Sequence, residues 1–124
     1  MIDHLSLQCD DLEAATDWYD AVFEPLGVVR ILEFGHVVGY GPRDGFPSFW
    51  LGRATDPGGR QTHVAFTAPD RETVRAVYAV AVDLGSEVLH EPRVWPEYHP
   101  HYFGAFFRDP DGNNVEVVCH RPVS

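Results

Sequence analysis

The stretch QTHVAFTAPD, residues 61–70, decides the fold because it has the same pattern of polar and apolar residues as an earlier stretch, IDHLSLQCDD, residues 2–11. Each alternates polar and apolar residues around a histidine and then reaches an aspartate where a helical pattern begins. The same offset of 59 residues relates three pairs of positions, His4 and His63, Asp11 and Asp70, and Tyr19 and Tyr78. A fixed offset that is kept in order indicates a duplicated unit.

The first unit reads as a strand, a helix and three further strands. Asp10 is predicted to cap the helix, with Glu13 three residues later as in a capping box, and Gly27 is predicted to end it. The apolar face of this helix recurs at Leu12, Ala15, Tyr19, Val22, Phe23 and Leu26. Strands are predicted at residues 28–34, 36–41 and 47–53, followed by a linker composition at 54–60.

The second unit repeats this order. A strand is predicted at residues 61–68, and Asp70 then caps a helix that Gly85 ends. Its predicted apolar positions are Val74, Val77, Tyr78, Ala81 and Leu84. Strands are predicted at residues 87–91, 102–108 and 113–120, with DPDGN as a hairpin turn between the last two. The predicted fold class is therefore α+β, with the order βαβββ twice and both helices on one face of a sheet layer.

Parity along the strands predicts which polar residues share a face, because side chains alternate across a strand. When the apolar residues pack on the helices, His4, His63 and Glu116 point to the opposite face, and Ser6 joins them. Two imidazoles and a carboxylate suit a divalent first-row metal ion and leave coordination positions open. A bound cation also explains why a strand holds Glu116 between two valines, since the ion compensates a buried carboxylate.

Composition and charge narrow the class of protein. The chain has 124 residues, 44% of them hydrophobic, which predicts one folded domain. Nine basic and nineteen acidic residues give a net charge of −10, which argues against a nucleic acid or an anionic membrane as partner. Two cysteines without a CxxC motif and a start without a signal-peptide pattern predict a cytoplasmic protein.

The sequence resembles the vicinal-oxygen-chelate superfamily over essentially the whole chain. The resemblance rests on IDHLSLQCDDL near the start, THVAF in the middle and RDPDGNNVEVV near the end. It implies two tandem modules, residues 1–58 and 59–124, whose mixed sheet is U-shaped with the helices on the convex face. It also implies a divalent metal ion (Fe, Mn, Ni or Zn) on the concave side, with ligands at His4, His63 and Glu116.

One position departs from part of that superfamily. Glyoxalase I adds a glutamate ligand in the fourth strand, where this sequence reads PSFWLG and the matching position is Trp50. The missing carboxylate is also a proton shuttle in glyoxalase I, so the resemblance does not imply glyoxalase I chemistry. Trp50 is instead predicted to line a substrate pocket together with Ser6, and the alternative is a tryptophan that packs in the core.

The stretch EPRVWPEYHPHYFGAFF, residues 91–107, is rich in groups that donate, accept or move protons. His99 and Tyr102 are predicted to orient the substrate or move a proton near the metal, and Tyr98 and His101 to contact the substrate. The alternative is an aromatic segment between prolines that packs at the mouth of the trough. His36, His90 and His120 receive no role.

Two functional classes remain. The first is a metal-dependent glyoxalase- or dioxygenase-like enzyme whose ion chelates adjacent oxygens of a small-molecule substrate, and the second is a bleomycin-resistance-type protein that sequesters a cationic drug without catalysis. A duplicated domain with a vestigial site is a further alternative. The resemblance also implies a homodimer, in which the modules pair within one chain or exchange between chains.

Overall fold

The computed structural model describes residues 2–56, 58–59 and 61–123, and these residues form eight strands, two α-helices and one short 3-10 helix. They make up two compact units, residues 1–60 and 61–124. Each unit has the order βαβββ, so the predicted α+β class with two βαβββ modules is confirmed. The predicted module boundary at residues 58 and 59 and the U shape of a combined sheet stay predictions.

Unit 1 is a four-stranded sheet with one α-helix. Its elements are β1 (Leu5–Cys9), α1 (Leu12–Phe23), the 3-10 helix (Glu24–Leu26), β2 (Val28–Glu33), β3 (Val37–Pro42) and β4 (Phe49–Arg53). The strand order is β1-β4-β3-β2, with β1 parallel to β4 and the other pairs antiparallel. The predicted linker that follows includes positions 57 and 60, which lie outside the described residues.

Unit 2 repeats this topology. Its elements are β5 (His63–Thr67), α2 (Arg71–Asp83), β6 (Val88–Val94), β7 (Phe103–Arg108) and β8 (Asn114–Cys119). The strand order is β5-β8-β7-β6, again with one parallel pair, β5 and β8. The central strand β8 therefore lies between β5 and β7, which places its side chains at the middle of the sheet.

The helix caps correct one prediction. α1 begins after Asp11, whose side chain accepts from the backbone N–H of Ala14 at 3.0 Å, so the predicted cap at Asp10 is wrong. Glu13 then lies in the first turn and not in a capping box. Its negative charge interacts favourably with the positive end of the helix dipole. α2 is capped by Asp70 through the N–H of Thr73 at 2.7 Å, as predicted.

The core of each unit lies between its helix and one face of its sheet. In unit 1, a cluster of buried aromatic rings with centroids 5.1–6.5 Å apart joins α1 to β3 and β4 through Tyr19, Phe23, Tyr40 and Phe49. In unit 2, Val74, Val77 and Ala81 of α2 are buried. Leu84, a predicted apolar position of that helix, is exposed, because α2 ends at Asp83 and the chain turns at Gly85 (φ 80°).

Two further observations bear on the predicted class of protein. Cys9 and Cys119 are both buried and are not joined in a disulfide, as predicted for core residues. Among the described residues, neither α1 nor α2 has the length and apolar character that crossing a membrane requires.

Candidate functional site

Glu116 is a buried carboxylate at the centre of unit 2. It lies in the middle of β8, opposite Ala65 of β5 and Phe106 of β7, and only 2% of the residue is exposed. Val115 and Val117 pair with the helix-facing residues of β7, so alternation directs Glu116 to the face without the helix. This is the face that parity predicted. A charge held there requires compensation by its neighbours.

His63 is the first of these neighbours. Its Nε2 lies 3.1 Å from Oε1 of Glu116, and its Nδ1 lies 3.2 Å from the carbonyl oxygen of Asn114. A carbonyl oxygen only accepts, so Nδ1 carries a proton and donates it. In the neutral ring Nε2 is then a lone pair that faces the carboxylate oxygen. Either a second proton on the imidazole or a cation shared by both atoms makes this contact attractive.

The spacing of this pair fits two donors on one metal ion. Nitrogen and oxygen ligands bind first-row divalent ions at about 2.1 Å, so two ligands at a right angle lie about 3.0 Å apart. The Nδ1 contact with Asn114 also fits, because metal-binding histidines commonly donate their other ring proton to an oxygen, which fixes the ring and the tautomer. The ring of His63 is further fixed by stacking on Phe106, with centroids 5.9 Å apart.

Tyr102 is the hydrogen-bond partner of the other carboxylate oxygen of Glu116, Oε2. Its hydroxyl donates a hydrogen bond to Oε2 of Glu116. Burial, together with this hydrogen bond, raises the pKa of Tyr102 above the ordinary tyrosine value, so the phenol remains protonated and able to donate. Gly104 allows this arrangement, because a Cβ atom there would lie 3.3 Å from Oε2 and 3.4 Å from Cε1 of Tyr102.

His99 forms a pair with His120, a residue for which the sequence analysis predicts no role. The backbone N–H of His101 donates to Nδ1 of His99 at 3.0 Å, so the proton of neutral His99 is on Nε2. This Nε2 lies 2.9 Å from Nδ1 of His120 and donates to it. Both rings pack edge-on against Tyr102. If His99 moves a proton, that proton would pass to His120. The only sequence signal for a role of His120 is its position directly after the last strand.

An aromatic cluster surrounds this face of β6 and β7. Trp95 is buried and packs edge-on against Phe106 and His90, while Tyr98 stacks on Trp95 and contacts Tyr102. Tyr98 itself is exposed, as a substrate-contacting residue would have to be. These contacts are also those of the packing alternative, so they leave the predicted roles of Tyr98 and His101 as predictions.

In unit 1, His4 also has an oxygen partner on Nδ1, but this partner is an exposed carboxylate and not a backbone carbonyl. Its Nδ1 lies 2.7 Å from Oδ1 of Asp3, which leaves Nε2 for another ligand. His4 directly precedes β1 rather than lying within it. His4, Ser6 and Trp50 all line one cavity, together with apolar residues that include Phe46.

The strand registers identify Trp50 as the unit 1 counterpart of Glu116. Ser6 of β1 pairs with Trp50 of β4, and Ala65 of β5 pairs with Glu116 of β8. Ser6 and Ala65 are themselves related by the 59-residue offset of the duplication. Unit 1 therefore has a tryptophan where unit 2 has its carboxylate. The indole lies over Gly39, where a Cβ atom would come within 2.8 Å of two ring atoms.

The structure thus brings together His63, Glu116 and Tyr102 in unit 2, and His4, Ser6 and Trp50 in unit 1. Taken by itself, neither unit contains, among its described residues, a group of three or more His, Cys, Asp or Glu side chains that could hold a metal ion. The predicted set of His4, His63 and Glu116 draws on both units and stays a prediction.

Comparisons with known proteins agree with the observed fold. A family model described as the Glyoxalase/Bleomycin resistance protein/Dioxygenase superfamily matches residues 1–117. The crystal structure of a lactoylglutathione lyase from Agrobacterium tumefaciens is 28% identical, with a TM-score of 0.71 and coverage of 96% of this chain and 92% of that one. No curated protein matches the chain significantly.

Two structures with lower sequence identity to this chain show a similarity of fold only. A glyoxalase/bleomycin resistance protein from Albidiferax ferrireducens T118 is 23% identical, with a TM-score of 0.76 and coverage of 96% and 97%. A glyoxalase/bleomycin resistance protein/dioxygenase family enzyme from Burkholderia phytofirmans PsJN is 16% identical, with a TM-score of 0.75 and coverage of 97% and 98%.

Proposed function

This chain belongs to the glyoxalase/bleomycin resistance protein/dioxygenase superfamily, and from that premise we propose that it is a divalent-metal-dependent enzyme acting on a small organic substrate. The proposal is carried by one observation, the contact of His63 Nε2 with Oε1 of the buried Glu116. A carboxylate with 2% exposure is costly unless a positive charge or strong donors compensate it. A cation bound by both side chains supplies that charge.

The proposed ligands are His4, His63 and Glu116, and the donor set suits Fe, Mn, Ni or Zn. When bound, such an ion would act as a Lewis acid toward adjacent oxygens of the substrate or, as iron(II), activate O₂. Both histidines have an oxygen partner on Nδ1, which orients Nε2 for this task. Half of the His63 side chain is exposed, so its ring is accessible to an ion and a substrate.

The chain's other residues would orient the substrate and exclude water. Trp50 and Ser6 line the cavity next to His4, where an indole face suits the apolar body of a small molecule. The His99 and His120 pair would present the Nε2 proton of His120 to the substrate or to a bridging water. Isomerase or lyase chemistry with any of these ions, or dioxygenase chemistry with iron(II), is compatible with these residues.

Two observations bear on the reaction class. The Agrobacterium protein described as a lactoylglutathione lyase supports a glyoxalase-type reaction. Trp50 argues against the same ligand set as glyoxalase I, because it replaces the carboxylate of the fourth strand. We therefore propose an ion with three protein ligands.

Metal analysis of protein purified without a histidine tag tests this proposal. We expect about one Mn, Fe, Ni or Zn ion per chain, and loss of most of that binding in His63→Ala. His36→Ala, which changes an exposed histidine in a turn, serves as the matched control and should bind like the parent protein. Parent protein that binds none of these ions after chelation and reloading would overturn the proposal. Screening α-ketoaldehyde–thiol adducts and catechols with the loaded protein then addresses the reaction and the vestigial alternative.

Sequestration of a cationic drug is the second candidate function. The net charge of −10 favours it, and so does the exposed ring of Phe46 in the cavity that Trp50 lines. Titration with a cationic glycopeptide separates the two candidates. Tight binding by metal-free protein, unchanged in His63→Ala, would favour sequestration over the enzyme.

We also propose a homodimer, in which exchanged modules would place His4 and His63 of one site on different chains. A mixture of His4→Ala and His63→Ala proteins, unfolded and refolded together, would then regain one intact site in each mixed dimer. Regained metal binding supports exchange between chains. A monomer in light scattering would contradict it.

A further inference from the structure

We infer that Tyr102 is a positioning residue that makes Glu116 bind its ion through one oxygen only. The inference rests on the proposed function, because it concerns how the carboxylate of that site is presented. It gives Tyr102 a task different from the substrate-orienting or proton-moving role that the sequence predicted.

The two oxygens of Glu116 have separate partners. Oε1 lies 3.1 Å from Nε2 of His63, whereas Oε2 accepts the hydrogen bond of the Tyr102 hydroxyl. A carboxylate that binds one ion through both oxygens has to turn both toward the ion. For Glu116 this would turn Oε2 away from the half-buried Tyr102 hydroxyl and weaken the hydrogen bond that it accepts.

The position of Tyr102 is itself fixed from the opposite side. Trp95 is 6% exposed, and its backbone N–H donates to the carbonyl of Tyr102 at 2.8 Å. The indole Nε1 of the same residue donates to the carbonyl of Gly104 at 3.0 Å. One buried tryptophan thus holds the backbone of both residues that flank Oε2, which fixes the point from which the phenol reaches the carboxylate.

Gly104 makes room for Oε2 of the carboxylate by its lack of a side chain. A Cβ atom there would be 3.3 Å from Oε2 and 3.4 Å from both Cε1 of Tyr102 and the carbonyl oxygen of Val117. An added Cβ would therefore crowd Oε2 and require it to shift by a few tenths of an ångström. The glycine admits the oxygen, and the phenol holds it there.

One-oxygen binding has a consequence for the substrate. If Glu116 bound the ion through both oxygens, its second oxygen would take a coordination position that the substrate would otherwise use. Tyr102 would therefore keep that position available for a substrate that brings two adjacent oxygens.

The test compares Tyr102→Phe with Tyr78→Phe, which removes a hydroxyl from α2 outside the site and serves as the matched control. Metal affinity is measured by competition with a chromophoric chelator. The binding mode is measured by the infrared separation of the two carboxylate stretches on metal addition, which is wider for one-oxygen than for two-oxygen binding. In Tyr102→Phe we expect affinity to fall about tenfold and the separation to narrow. Tyr78→Phe should match the parent protein in both.

Gly104→Ala provides a second variant that keeps the phenol but crowds Oε2. We expect it to change the infrared separation in the same way, and it decides the question if Tyr102→Phe does not fold. If parent protein binds the ion and both variants keep its affinity and its separation, the inference is wrong and the proposed function stands. If parent protein binds no ion, the proposed function fails and the inference fails with it.

Discussion

Replacing Glu116 by glutamine tests whether this residue binds an ion, because the substitution should change ion binding without changing the fold. The substitution keeps the shape of the side chain and one acceptor oxygen for the Tyr102 hydroxyl, but it removes the charge. We expect Glu116→Gln to fold as the parent protein does and to lose most of the stabilisation that a divalent ion gives.

The expected magnitudes follow from the surroundings of the side chain. A hydrogen bond to a charged group contributes about 1.5–3 kcal/mol and a neutral one about 1, so the weakened bond costs up to about 2 kcal/mol. The carboxylate is 2% exposed, and removing its charge also removes a desolvation penalty of comparable size. The free energy of unfolding of the ion-free protein should therefore change by about 1 kcal/mol or less.

The ion itself should have a larger effect on the parent protein. A ligand at one hundred times its dissociation constant stabilises the folded state by about 2.7 kcal/mol. For a chain of this length each kcal/mol raises Tm by about 4 °C, so the parent protein should gain about 10 °C. Glu116→Gln should gain only a few degrees at the same ion concentration.

The assay is thermal unfolding followed by circular dichroism, with and without the ion. Glu91→Gln, the same change at an exposed position of β6, is the matched control and should respond like the parent protein. An ion-induced gain in Glu116→Gln equal to that of the parent would refute the reasoning, because Glu116 would then not bind the ion.

Two further predictions concern contacts already described. Gly39→Ala would push a Cβ atom to 2.8 Å from the Trp50 ring, so we expect a loss of about 1–3 kcal/mol in the free energy of unfolding and a shifted tryptophan fluorescence. Gly59→Ala, where the Cβ meets nothing within 4 Å, should change neither, and an unchanged Gly39→Ala would show that the indole is free to move. Burial raises the pKa of Tyr40 and of Tyr102 above the ordinary tyrosine value of about 10, so ultraviolet titration at pH 11 should leave these two phenols protonated. Since the folded state holds these protons more tightly, their stabilising contribution is complete below pH 10 and declines as the pH rises further. Five phenolates at pH 11 in folded protein would contradict this.

The duplicated order of elements could be predicted because it depends on local patterns. Alternation with a period of two identified the face that Glu116 and His63 share, and the offset between histidines identified the repeated strands. The cap at Asp11 was also within reach, since it lies 59 residues before the cap at Asp70. The prediction at Asp10 is wrong because Glu13, three residues later, imitates a capping box that the helix does not form.

The partners across strands could not be predicted in the same way. In β6 the register shifts between Val88 and His90, so His90 pairs with Phe106 on the face without the helix, although strict alternation would keep it on the side of Val88. The hydrogen bond from Tyr102 to Glu116 and the pairing of His99 with His120 depend on how the segment between β6 and β7 folds back. No periodicity in the sequence encodes that path.

The parallel pairing of the first and last strands in each unit has a consequence for folding kinetics. Leu5 pairs with Phe49, and His63 pairs with Asn114, so each sheet closes only when residues far apart in the chain have met. Such non-local pairing slows the search for the native topology. During synthesis β5 must therefore wait for β8, and the imidazole of His63 meets its acidic neighbour only when nearly all of unit 2 has left the ribosome. Until then β5 is a strand without its partner, and a chaperone or a second nascent chain would compete for its edge.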